Sequence, residues 1–179
     1  MTEPRTPHRV GSNRKKNPVP LSSLRASDVL KMVLEDPRRL EEIAGMLEDR
    51  DRAVRDRAAA VLGQLADRHP ERLRHLIARL APSLEDDSAY VRWHLVYILG
   101  SLGSRFDLDT ADLIGSLAAR LDDPNRVVRV TAVRSLARVA GSRPGAVEAF
   151  FAGQKREIPS AVARFIRGAR RGRSRKDGQ

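Results

Sequence analysis

The chain has 179 residues, 41% of them apolar and only 4% aromatic, no cysteine, and a formal charge of +11. That length suits one domain, and the missing cysteines exclude a disulfide framework, a thiolate zinc site and a cysteine nucleophile. No apolar run approaches the roughly 18 residues that a membrane-spanning helix needs, and the abundance of Ala, Leu, Val and Arg points to an all-α chain.

The charge is unevenly spread: residues 1–20 carry +4, residues 164–179 carry +6, and residues 21–163 only +1. The opening stretch, MTEPRTPHRVGSNRKKNPVP, lacks the apolar segment of a signal peptide. It predicts a disordered basic arm over 1–20 on a soluble, cytoplasmic protein.

Ordered structure is expected over 21–171. LRASDVLKMVLEDP reads as a capping helix within 21–36 that stops before Pro37. Three helical hairpins follow, at about 38–68, 72–104 and 110–141, because the chain repeats with a period of 37 residues. Val54-Arg55, Val91-Arg92 and Val128-Arg129 align without a gap, as do Leu47, Leu84 and Leu121; Asp49, Asp86 and Asp123; Leu62, Leu99 and Leu136; and Ala44, Ala81 and Ala118. In each unit a first helix with apolar residues at three- and four-residue spacing stops at an acidic turn, EDRD, EDDS or DDPN. A second helix starts just before the Val-Arg pair and is expected to end near Gly63-Leu65, Gly100-Gly103 or Ala140-Gly141. PGAVEAFFAGQ and IPSAVARFIRGAR predict a degenerate capping hairpin over 144–171, and 172–179 a disordered basic tail.

The pattern of leucine, acidic turn, Val-Arg and then Ala and Leu-Gly, as in LEDRDRAVRDRAAAVLGQL, resembles the HEAT repeat family over about residues 38–141. The resemblance implies a right-handed α-solenoid of about three HEAT-like hairpins with capping helices. It implies a structural ladder made by Asp49 and Arg55, Asp86 and Arg92, Asp123 and Arg129, in which forked guanidinium groups can bridge carboxylates of adjacent units. HEAT units usually run to about 40–47 residues, so the shorter period is closer to compact bacterial or archaeal HEAT-like arrays.

On a wheel of about 3.6 residues per turn, Val91, Leu95, Ile98, Leu99 and Leu102 form the core stripe of the middle unit. Trp93 and Tyr97 project on the opposite side, with Tyr90 beside them and His94 near the boundary. The only tryptophan and both tyrosines therefore fall on one face, which the HEAT resemblance makes the concave, partner-binding one. Arg57, Arg134 and Arg138 flank it, and Trp, Tyr and Arg are the residue types that dominate binding hot spots. At the C-terminus, Arg167, Arg170, Arg171, Arg173, Arg175 and Lys176 are candidates for an anionic partner.

No phosphate-binding glycine loop, HExxH helix or serine nucleophile elbow is present, and the histidines at 8, 69, 75 and 94 are scattered. No catalytic residue, metal site, cofactor or small-molecule substrate is expected. The predicted function is a non-enzymatic binding module or assembly scaffold for a protein partner. The alternative is a nucleic-acid-binding protein using the basic ends and the aromatic and arginine face. More remote is a HEAT-like DNA-repair glycosylase, whose surroundings Trp93, Tyr97, Asp56 and Arg134 broadly resemble without a matching catalytic motif.

Overall fold

The computed structural model describes residues 25–106 and 110–176; the arm expected over 1–20 lies outside them. Among the described residues nine α-helices follow in order: α1 Ala26–Glu35, α2 Arg39–Gly45, α3 Arg52–Arg68, α4 Ile77–Leu80, α5 Ala89–Arg105, α6 Thr110–Ala119, α7 Arg126–Ser142, α8 Pro144–Gly153 and α9 Ser160–Lys176. They form an all-α solenoid. Helices α1, α3, α5, α7 and α9 pack side by side in chain order, and the shorter even-numbered helices cover the other side of that layer.

Helices α3, α5 and α7 each have 17 residues, and their first residues lie one repeat period apart. Each start has its own cap. The side chain of Asp51 accepts from the Ala53 N–H, that of Ser88 from Val91 and that of Asn125 from Val127, which satisfies amide groups that a helix leaves unpaired at its N-terminus. The first helices are less regular. In the first helix of the second unit only Ile77–Leu80 is α-helical, between 3-10 segments Pro70–Leu76 and Ala81–Glu85. Pro82 lacks an N–H and its ring would strike the carbonyl four residues back, so the α pattern gives way there.

One core runs the length of the stack, with Leu62, Leu99 and Leu136 each no more than 1% exposed. Truncating any of the three to Ala is expected to cost about 2–5 kcal/mol. Gly63, Gly100 and Gly103, expected near the ends of their helices, sit inside them, since α3 and α5 run on to Arg68 and Arg105, whereas α7 ends at Ser142, beside the expected Ala140-Gly141. Gly100 marks close helix packing: a Cβ there would lie 2.8 Å from the Ser135 Cα on α7. Ser135 Oγ in turn donates to the Val96 carbonyl at 2.9 Å.

Arginines join the units in three rows. Along the turns, Arg55 donates to the Asp86 carboxylate from Nε at 2.8 Å and Nη2 at 3.3 Å, and from Nη1 to the Asp49 carbonyl at 3.0 Å. Arg92 repeats this on Asp123, at 2.8 and 2.9 Å, and on the Asp86 carbonyl at 2.7 Å. Each ladder arginine thus holds its own turn through backbone oxygen and the next unit through a carboxylate. Arg129 keeps the first half, donating to the Asp123 and Pro124 carbonyls, and pairs with no carboxylate among the described residues.

A second row lies on the short-helix side, where Arg79, Arg120 and Arg156 reach back to Glu48, Glu85 and Asp122 at 3.7, 2.6 and 2.8 Å. Those three acids are again one period apart, each just before a ladder aspartate. In a third row Arg72 donates to the Val33 carbonyl, Arg105 to that of Ala66, and Arg143 to those of Gly103 and Phe106. These sites lie at the C-terminal ends of α1, α3 and α5, where carbonyls lack helical partners and positive charge is favoured.

Of the disordered tail expected over 172–179, residues 177–179 lie outside the described residues and 172–176 need correction. Helix α9 continues to Lys176, because its arginines favour helix and Gly172 weakens a helix without ending it.

Candidate functional site

The long-helix layer leaves one side of α3, α5, α7 and α9 uncovered by the short helices. Among the described residues the large apolar side chains that stay exposed are Tyr90 on α5, Val127 and Val130 on α7, and Phe165 on α9, at 42, 56, 41 and 53%. Val127 and Val130 occupy, one period later, the positions of Tyr90 and Trp93. Four such side chains fall on three neighbouring long helices, whereas single exposed apolar residues are ordinary.

Trp93 and Tyr97 were expected to stand out on this face; they are half-buried instead. They line a cleft of about 280 Å³ between α3 and α5, with Gly63, Gln64 and Asp67 on the opposing wall. The cleft exists because α3 offers only small side chains at Ala60 and Gly63; a Cβ on Gly63 would lie 2.8 Å from the His94 ring. His94 fills that space, 4.2 Å from Trp93 and 4.4 Å from Tyr90 between ring centres, and Tyr90 meets Trp93 edge-on at 5.6 Å. Its Nδ1–H donates to the Tyr90 carbonyl at 3.0 Å. Burial holds the His94 pKa below its ordinary value, against the opposing pull of that hydrogen bond and of Asp56. Near neutral pH the imidazole is therefore an uncharged packing element.

Tyr97 ties three units together. Its hydroxyl donates to the Asp67 carboxylate on α3, and the Arg138 guanidinium on α7 lies 5.3 Å from its ring centre, a cation–π distance. The hydrogen bond to Asp67, followed by burial, raises the phenol pKa. Asp67 lies outside the residues that composition and spacing single out, because only the meeting of α3 with α5 brings it to Tyr97. Asp56 is engaged at the head of the next unit, accepting from Ser88 Oγ at 2.6 Å and lying 3.7 Å from Arg52.

Arg134 and Arg138 are exposed on α7, and Arg57 on α3 is half-buried. On α9, Arg164, Arg167, Arg170 and Arg171 are exposed, and Arg170 pairs with Glu148 of α8. Arg173, Arg175 and Lys176 belong to the same helix by their backbone. Among the described residues no cluster of His, Cys, Asp and Glu is arranged to hold a metal ion, and no helix is long and apolar enough to cross a membrane.

Residues 77–153 match the family model of HEAT repeats. Among solved structures the chain is similar to a designed armadillo repeat protein, YIII(Dq.V1)4CPAF in complex with the peptide (KR)4. The two are 17% identical with a TM-score of 0.57, over 82% of this chain and 68% of that one. No curated protein matches the chain.

Proposed function

We propose that this HEAT-like repeat protein is a non-enzymatic binding module, which presents the open side of α3, α5, α7 and α9 to a segment of a partner protein. The observation that carries this reading is the line of exposed Tyr90, Val127, Val130 and Phe165 across consecutive units, with Arg134 and Arg138 among them. Apolar side chains left in water at repeated positions of a stack gain free energy when a partner covers them, and arginine beside them adds directional hydrogen bonds. The designed repeat protein named above is in complex with a peptide, and a comparable use of stacked helices is what we assign here. Half-buried Trp93 and Tyr97 belong to the floor of this surface, and Tyr90 and Phe165 are its exposed aromatic contacts.

The test is a selection of displayed random peptides against the folded chain, repeated with Val130→Asp, an exposed position where the helix tolerates the change. Sequences enriched by the wild type and lost with the variant would support the reading. No enrichment, or peptides indifferent to Val130→Asp, would overturn it.

A second reading, nucleic-acid binding, is favoured by the concentration of arginine on α9. Charge contacts of that kind give affinity that falls steeply with salt and carries little sequence preference.

A further inference from the structure

The long helices of the C-terminal half are one-signed. Across α5, α7 and α9 the sequence places thirteen Arg and Lys and no Asp or Glu. Among the described residues the acids of this half lie on the short helices and turns, where Asp122, Asp123 and Glu148 are each paired with an arginine. Most arginines elsewhere in the fold have partners: Arg55, Arg92, Arg120 and Arg156 all hold carboxylates of neighbouring units. Arg134, Arg164, Arg167 and Arg171 are exposed and make no ion pair with any described residue, and exposed Arg138 lies over the Tyr97 ring without a carboxylate partner among them.

Arg134 and Arg138 border an apolar groove. Between α7 and α9 a cleft of about 340 Å³ is lined by Val133, Ala137, Ala161 and Phe165, with Arg134 and Arg138 at its edge. The volume suits one large side chain, and Phe165 in its lining is itself exposed.

Resting on the binding-module reading, we infer that the α7–α9 end of the face takes an acidic protein segment anchored in this groove by one large apolar side chain. Carboxylates of the segment pair with Arg134 and Arg138, whose forked donors match a carboxylate at two points. The anchor covers Phe165, Val133 and Ala137. A phosphate backbone would satisfy the arginines but leave Val127, Val130 and Phe165 in contact with a charged, hydrated chain, whereas an acidic segment with an apolar anchor uses both halves of the surface.

The test measures fluorescence anisotropy of labelled probes titrated with the full chain. The probes are a peptide of alternating Glu and Asp with one central Phe, the same peptide with Ser replacing Phe, a Lys/Arg peptide with the central Phe, and a single-stranded DNA oligonucleotide. The expected result is binding of the acidic Phe peptide, weaker by at least about tenfold for the Ser version, as for loss of a buried anchor. A similar loss is expected with the R134E/R138E double variant and with Phe165→Ser, while circular dichroism stays that of the wild type. Preference for the basic peptide would overturn the charge assignment and leave the binding module standing. Acidic binding indifferent to the Phe and to Phe165→Ser would overturn the anchored site. Tighter binding of the oligonucleotide would transfer the face to nucleic acid. If no probe binds while the displayed-peptide selection still enriches sequences, the acidic assignment falls alone; if both fail, the binding module falls with it.

Discussion

Arg92 and Asp123 are joined by two hydrogen bonds, Nε to Oδ2 at 2.8 Å and Nη2 to Oδ1 at 2.9 Å, and both residues are buried, at 8 and 3% exposure. The same guanidinium holds the Asp86 and Asp87 carbonyls, so one side chain closes its own turn and docks the next unit. Such a buried pair costs little while complete and much when halved, because the remaining charge is left without its partner.

Arg92→Ala is accordingly expected to destabilise the chain by about 3 kcal/mol or more. Arg129→Ala removes only contacts to carbonyls and should cost about 1 kcal/mol. Urea denaturation of the two variants beside the wild type checks the ordering; equal losses would mean that the inter-unit carboxylate adds nothing.

Acid should weaken this joint in a defined window. Burial works against ionisation of Asp123, but Arg92 and the Asn125 N–H outweigh it and hold the carboxyl below its ordinary value. The unfolded chain therefore takes up this proton first on acidification. The contribution is complete above the ordinary carboxylate pKa of about 4 and is lost as pH falls towards the lower folded value. In stability measured against pH, Asp123→Asn should be less stable than the wild type near neutrality and show a shallower decline below this window.

Gly100→Ala should separate α5 from α7. The added Cβ would lie 2.3 Å from the Ser135 side chain and 2.8 Å from its Cα, and overpacking of this kind costs about 1–3 kcal/mol. Gly141→Ala, on the same layer with nothing within 4 Å of the new atom, should instead stabilise by about 0.5 kcal/mol through helix propensity. Melting temperatures of opposite sign relative to the wild type are the expected outcome.

His94 offers an optical readout. Its burial-lowered pKa means that the folded chain resists protonation more than the unfolded one. This contribution to stability is therefore complete above the ordinary histidine pKa of about 6.5 and declines as pH falls through it. A charged imidazole quenches a neighbouring indole, and Trp93, the only tryptophan, is 4.2 Å away. Emission should drop with a midpoint below about 6.5; a flat profile, or the same drop in His94→Gln, would show that this ring does not titrate beside Trp93.

The repeat period made much of the fold legible. Identical Val-Arg pairs at 54, 91 and 128 carry the starts of α3, α5 and α7 and the positions of the turns between helices. What the period does not carry is contact across units. Asp49 and Arg55 lie six residues apart, yet the Asp49 carbonyl accepts from Arg55, whose carboxylate partner is Asp86. The helical wheel likewise gives the directions of Trp93 and Tyr97 on their own helix but not how closely α3 approaches. That distance depends on Ala60 and Gly63, and it turns two expected surface aromatics into the lining of a cleft. The row through Glu48, Glu85 and Asp122 does leave a trace, an acid before each ladder aspartate, but their arginines at 79, 120 and 156 keep no common spacing.

Because Arg55 meets Asp86 and Arg92 meets Asp123 across the same 31 positions, the joint between units is interchangeable. Excising residues 86–122 would bring Asp123 to the place of Asp86, opposite Arg55, with Asn125 capping the helix where Ser88 had done so. Duplicating the same stretch would insert a matched donor and acceptor together. A chain built on such joints can change its length by whole units while each junction keeps the chemistry it already has, so the reach of its binding face can vary independently of the means that hold it together.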